Sequence, residues 1–169
     1  MNLITLTEAA CQTQSNKKMF GLCDDPHPAK NPAFIDEDNG NKWIAVVIND
    51  RDFDVVFTAV DHCIDTKRAD GKMDNRCDGV LSYESTVIFV ELKERSAKGN
   101  EWVVDAEIQL RSSIGYFEKQ VNSDDFSLKK AYIANKDHPK FKETQSSRMR
   151  KFQDETGYTL RIENRIELT

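Results

Sequence analysis

Thr86-Val87-Ile88-Phe89-Val90-Glu91-Leu92-Lys93 runs apolar from Val87 to Val90 and then sets a carboxylate and an ammonium two positions apart. An unbroken apolar run of this kind suits a strand covered on both faces. Side chains two apart on a strand point to one face, so Glu91 and Lys93 share theirs. Residues 77–83 have strand character too, and Glu84-Ser85 supplies a turn between the two runs. Going up one strand and down the next returns Asp78 to the side of Glu91. Two carboxylates and an ammonium at the end of an apolar strand are costly to bury unless the charges perform a task.

Outward from this hairpin, a turn at 96–100 leads into the clearest helix of the chain, residues 101–120. Trp102, Ala106, Leu110, Ser113 and Phe117 recur there at helical spacing. Residues 130–134 read as a short strand, and Pro139 interrupts the loop that follows. Residues 145–155 are helix-like and stop at Gly157, a natural C-terminal cap. Residues 158–162 and 166–168 look like closing strands, joined as a small hairpin across Glu163-Asn164. Toward the amino terminus, residues 43–48 and 53–60 are rich in β-branched residues and flank an Asn49–Asp52 turn, which predicts another hairpin. Residues 21–41 hold three prolines and two glycines and read as a loop that wraps the body or borders the site. Residues 3–19 have helical character, with Leu3, Leu6 and Ala10 on one face. The order predicts one α/β domain, residues 1–169, with a mixed sheet flanked by helices.

Composition bounds the function classes. A chain of 169 residues can bury a real core, and 38% hydrophobic with 31% charged residues is ordinary for a soluble globular protein. No run of about 18 apolar residues exists, so no membrane partner is expected. The first residues lack a basic segment followed by a long apolar one, so no secretory signal is expected. The four cysteines (Cys11, Cys23, Cys63, Cys77) include no CxxC and are expected to be reduced thiols in a cytoplasmic protein. His62, Cys63, Cys77 and Cys23 match the spacing of no common zinc module. His27 and His138, each beside proline, read as loop histidines. The net charge of -5 weighs against a protein that grips nucleic acid through many phosphates. The charge is uneven, however: acidic residues gather between Asp24 and Asp78, basic ones between Lys129 and Arg165.

The chemistry open to the Asp78, Glu91 and Lys93 set is specific. Two carboxylates, helped by the Leu92 carbonyl, offer hard oxygen ligands to Mg²⁺ (or Mn²⁺), which keeps several waters. Such an ion lowers the pKa of a bound water and neutralises charge building on a phosphate. Lys93 can orient that water or assist its deprotonation. Arg76 can clamp a phosphate bidentately or pair with a nearby Asp.

The segment Arg76-Cys77-Asp78-Gly79-Val80, followed by Val87 through Lys93, resembles the PD-(D/E)xK, or restriction-endonuclease-like, nuclease superfamily. Its signature is an acid near one strand and an acid-x-Lys on the next, followed by a helix. Cys77 stands where the family name has proline. The resemblance implies a restriction-endonuclease-like core and a Mg²⁺-dependent nuclease that hydrolyses phosphodiester bonds, with DNA favoured over RNA. It implies Asp78 and Glu91 as metal ligands, Lys93 as the catalytic lysine and Gln109 as the polar residue on the following helix. It also offers Glu8, on the first helix, as an assisting metal ligand. The partners it implies are nucleic acid and either a second copy of the chain or a larger complex. A catalytically silent protein of the same fold, acting as a binding or regulatory subunit, is the rival expectation.

Overall fold

The computed structural model describes residues 3–26, 28–94, 99–137 and 145–169. The turn expected at 96–100 lies mostly outside the described residues, as do His27, His138 and Pro139. Among the described residues are ten strands and two α-helices. In chain order they begin β1 (Gln12–Ser15), β2 (Met19–Cys23), β3 (Phe34–Asp36), β4 (Ala45–Ile48), β5 (Val55–Ala59) and β6 (Gly79–Tyr83). There follow β7 (Thr86–Lys93), α1 (Glu101–Glu118), β8 (Leu128–Asn135), α2 (Ser146–Thr156), β9 (Thr159–Ile162) and β10 (Arg165–Glu167).

The strands form two mixed sheets, so the protein is α/β as expected. The larger sheet has the order β1-β5-β6-β7-β8-β9, and the smaller β10-β4-β2-β3. In the larger one, β1, β5, β6 and β7 run antiparallel to their neighbours, while β7, β8 and β9 are parallel. A parallel neighbour needs a crossover, and α1 supplies it between β7 and β8.

The alternation of β7 divides the interior. Val87 and Phe89 pack with Trp102, Ala106, Leu110 and Phe117 of α1 and with Phe152 of α2. Ile88, Val90 and Leu92 pack instead with Phe20, Leu22 and Val47 of the smaller sheet. Helices therefore cover one face of the larger sheet and the smaller sheet covers the other. Coverage on both faces is what the unbroken apolar run of β7 required. Gly79 fits this scheme, because a Cβ there would run into the Phe57 ring on the side of the smaller sheet.

Three expectations are corrected. Residues 3–19 are not a helix: a single 3-10 turn at Ala9–Cys11 leads into β1, which pairs with β5, and β2 opens at Met19. The short helical stripe of Leu3, Leu6 and Ala10 could not hold against strand pairing, since short helices depend on tertiary packing. The hairpin expected across Asn49–Asp52 does not form, because β4 lies in the smaller sheet and β5 in the larger. Asn49 makes that corner: its fully buried amide donates to the Lys17 and Phe53 carbonyls and accepts from the Phe53 N–H. The hairpin expected across Glu163-Asn164 is a second corner, with β9 beside β8 and β10 beside β4.

The expectation of reduced thiols also fails for one pair. Cys11 and Cys63 form a disulfide across 52 residues, and only Cys23 and Cys77 are free and buried among the four. Disulfides persist mainly in oxidising compartments, so reduced cysteines no longer argue for a cytoplasmic location. Among the described residues no helix is long and apolar enough to cross a membrane.

Candidate active site

Register alone brings the two acids together. Gly79 of β6 faces Val90 of β7, so continuing one step outward sets Asp78 opposite Glu91. Each carboxylate takes a backbone N–H from the other's strand. The Asp78 N–H donates to Glu91 Oε1 at 3.0 Å, and the Leu92 N–H donates to Asp78 Oδ2 at 2.6 Å. Both residues are buried, at 7% and 2% exposure, which rules out reading them as solvated surface charge.

Burial pushes the Asp78 carboxyl well up, and the Glu91 charge with its hydrogen bond pushes it further. Burial also raises Glu91, while Lys93 and the hydrogen bonds with Asp78 pull it back. Both carboxyls are thus held above the ordinary carboxylate range. Two carboxylates at such range do not both ionise without a compensating cation.

Lys93 and Gln109 complete the wall. Lys93 Nζ lies 3.0 Å from Glu91 Oε2 and donates to Gln109 Oε1 at 2.9 Å. The Gln109 amide in turn donates to the Arg76 carbonyl at 3.2 Å, which ties α1 to the approach to β6. Gln109 is on the α1 face that looks at the odd-numbered residues of β7, and so can meet Lys93. Arg76 realises the ion-pair alternative: its guanidinium lies 3.1 Å from Asp61 Oδ1 and donates to the Ile64 carbonyl.

Asp78, Glu91, Lys93 and Gln109 line a cavity of about 370 Å³ together with Leu92, Asp24, Asp25, Asp61 and Glu94. The structure thus brings Asp78, Glu91, Leu92, Lys93 and Gln109 to one place. It does not bring Glu8, which is exposed ahead of the 3-10 turn and does not line the cavity. The reason is the missing first helix that was to carry it. Asp24 and Asp61 were not singled out from sequence as ligands, yet both line the cavity. Asp61 follows β5 and also receives the His62 N–H, so it both caps a turn and faces the site. Asp24 follows β2, a strand hidden in a proline-rich stretch, and the only available signal was that this stretch should border the site. Burial, then the charges of Asp78 and Asp61, push the Asp24 carboxyl up to about 7.

Among the described residues no three His, Cys, Asp or Glu side chains converge as ligands of one ion. Cys63 is held in the disulfide, so it is not free to join His62, Cys23 and Cys77 around zinc. What the wall offers is two adjacent carboxylates with hard oxygen donors. That fits an ion such as Mg²⁺ or Mn²⁺, which takes few protein ligands and keeps most of its water.

Comparison of the chain with protein-family models, with curated proteins and with solved structures finds no match.

Proposed function

We propose that the protein is a metal-dependent nuclease of restriction-endonuclease-like fold that hydrolyses phosphodiester bonds, with DNA its favoured substrate over RNA. The observation that carries this reading is the buried Asp78–Glu91 pair with Lys93 anchored between Glu91 and Gln109. The antiparallel run β5-β6-β7, followed by α1 and the parallel strand β8, supports the same core.

Asp78 and Glu91 would hold Mg²⁺ or Mn²⁺, with the Leu92 carbonyl as a further oxygen donor. When bound, the ion supplies Lewis acidity toward a phosphoryl oxygen and lowers the pKa of a coordinated water. The chain's own residues do the rest. Asp78 would offer its carboxylate from the approach to β6, directly opposite Glu91. Glu91 holds Lys93 by one oxygen and keeps the other turned toward Asp78. Lys93, fixed by Glu91 and Gln109, presents its remaining N–H to orient the attacking water and to offset charge on the phosphate. Gln109 keeps that ammonium from swinging away, being itself tied to the Arg76 carbonyl.

One observation favours the silent-subunit reading. Asp24, Asp25, Asp61 and Glu94 stand around the same cavity, and the net charge is -5. Acidic groups of this number oppose a polyanion unless cations come with it. On α2, moreover, Arg148 and Lys151 are engaged with Glu107 and Glu155, which leaves less basic charge for phosphates.

Cleavage of plasmid, single-stranded DNA and RNA in Mg²⁺, Mn²⁺ or EDTA tests the two readings. Metal-dependent cutting by the wild type, lost in Glu91→Ala and Lys93→Ala, is the result expected of the nuclease. A folded wild type that neither cuts nor binds metal selects the silent subunit.

A further inference from the structure

A second cavity, of about 360 Å³, is lined by β8 and β9 of the larger sheet and by β10, the outer strand of the smaller one. Register sets Lys130 beside Thr159 and Tyr132 beside Arg161 on one face of the larger sheet. That face is the one toward the smaller sheet, because Tyr132 packs with its core whereas Leu160 packs with the helices. Of the four tyrosines, Tyr83, Tyr116 and Tyr158 donate to the Thr169 carbonyl, Asp74 and Glu118. Tyr132 is the exception. It is only 6% exposed and lines the cavity, yet among the described residues its hydroxyl has no hydrogen-bond partner. Buried polar groups are as a rule hydrogen-bonded, so a hydroxyl left open toward a cavity calls for an acceptor there.

The charges around that hydroxyl say which acceptor. Arg165 is taken by Glu167 at 2.9 Å. Lys130 and Arg161 form no hydrogen bond or ion pair among the described residues, and the one remaining carboxylate of the lining is Glu163. Two open cations against one carboxylate leave this cavity positive in a chain of net charge -5. We propose that the cavity is a phosphate-binding subsite, in which Lys130, Arg161 and the Tyr132 hydroxyl hold the oxygens of one phosphate group, free or on a nucleic-acid strand. The Arg161 fork suits two phosphate oxygens at once, and Lys130 adds a point charge. Burial holds the Tyr132 hydroxyl above its ordinary pKa, with Glu163 raising it and Arg161 lowering it, so it keeps its proton and donates. The inference goes beyond the nuclease reading and stands without it. Where both hold, this cavity supplies the positive contact that the acid-rimmed one lacks.

The test uses the full chain in EDTA, where no metal-dependent cleavage interferes. Two probes are titrated: inorganic phosphate, read from backbone amide NMR shifts, and a short labelled DNA single strand, read from fluorescence anisotropy. Wild type is compared with Lys130→Gln, Arg161→Gln, Tyr132→Phe, Glu91→Gln and Arg150→Gln, the last an exposed cation of α2 outside the cavity. Thermal melts establish that each variant is folded. Phosphate is expected to shift amides of β8 and β9. Lys130→Gln and Arg161→Gln are each expected to weaken binding roughly 10-fold, and Tyr132→Phe roughly 2- to 10-fold. Each lost cation is also expected to lower the salt dependence of DNA binding by about one phosphate contact. Glu91→Gln and Arg150→Gln are expected to bind as wild type does. Binding of both probes, lost in the same variants, supports the subsite and identifies its source as a nucleic-acid strand. Binding of inorganic phosphate alone supports it with a free phosphate group as the ligand. Binding of neither probe overturns the proposal, as does equal weakening by Arg150→Gln, which a diffuse basic field would explain. Either failure leaves the nuclease reading standing, since that reading is tested by metal-dependent cutting and its loss in Glu91→Ala.

Discussion

The two faces of β7 carry the same backbone and quite different chemistry. Toward the smaller sheet, Ile88, Val90 and Leu92 are apolar to the end of the strand and pack against Phe20, Leu22 and Val47. Toward the helices, Val87 and Phe89 are equally apolar, but Glu91 and Lys93 then continue the same face. One face is uniform and fills a layer. The other changes character at Glu91, where a cavity opens and Asp78 stands opposite. A strand that only needed to fold would have no reason to bury charge on one face when the other shows that apolar residues fit. The contrast singles out the end of the helix-facing row as the candidate site.

Substitutions can break that contrast. The largest effect is expected from Lys93→Ala, which should lower the cleavage rate about 10²- to 10⁴-fold, the usual worth of a positioned acid–base group. Initial rates check this, with thermal melts on the same preparation establishing that the variant is folded at the assay temperature. Next is Phe89→Ala on the apolar part of the same face, where its ring meets Phe117 and Tyr158 edge-on. Urea unfolding should show a loss of about 3–5 kcal/mol, with Mn²⁺ affinity kept. Removing the Cys11–Cys63 link, which closes 52 residues and sits two positions from cavity-lining Asp61, should cost about 2–4 kcal/mol. Urea curves of a Cys11→Ser, Cys63→Ser variant check it, and an unchanged midpoint would deny the link a structural part. Ile88→Val, on the uniform face, should cost only about 0.5–1.5 kcal/mol and leave cleavage alone.

The smallest effect sharpens the contrast through pH. The Asp24 carboxyl is raised from 3.8 to about 7 by burial, then by Asp78 and Asp61. Between those values the folded protein holds a proton that the unfolded chain has released, so metal-free stability falls as pH rises through the window. Asp24→Asn should flatten that slope. Unfolding curves of both proteins at several pH values in EDTA measure it.

Where the chain pairs with what lies next to it, sequence spoke clearly. The hairpin of β6 and β7 needed only a turn and two apolar runs, and its register followed from the need to face Asp78 toward Glu91. The long amphipathic helix was visible because Trp102, Ala106, Leu110 and Phe117 repeat over several turns. Gln109 could be picked because it borders that stripe. What could not be read was pairing at a distance. Gln12–Ser15 has no apolar alternation of its own and becomes a strand only because β5 offers it a partner. The short turns at Asn49–Asp52 and Glu163-Asn164 look the same whether they close a hairpin or carry the chain to another sheet. Because that second sheet was invisible, so was Asp24, which it delivers to the cavity. Glu8 was the wrong choice for the same reason, since the helix meant to carry it gives way to strand pairing.

The most direct measurement is anomalous scattering from crystals grown or soaked in Mn²⁺, with a Glu91→Gln crystal alongside. A Mn²⁺ peak between the Asp78 and Glu91 carboxylates, absent from Glu91→Gln, is the predicted result. Wild-type density with no peak there at saturating Mn²⁺, and the two carboxyls still in contact, would contradict the claim that this strand end is a metal-dependent active site.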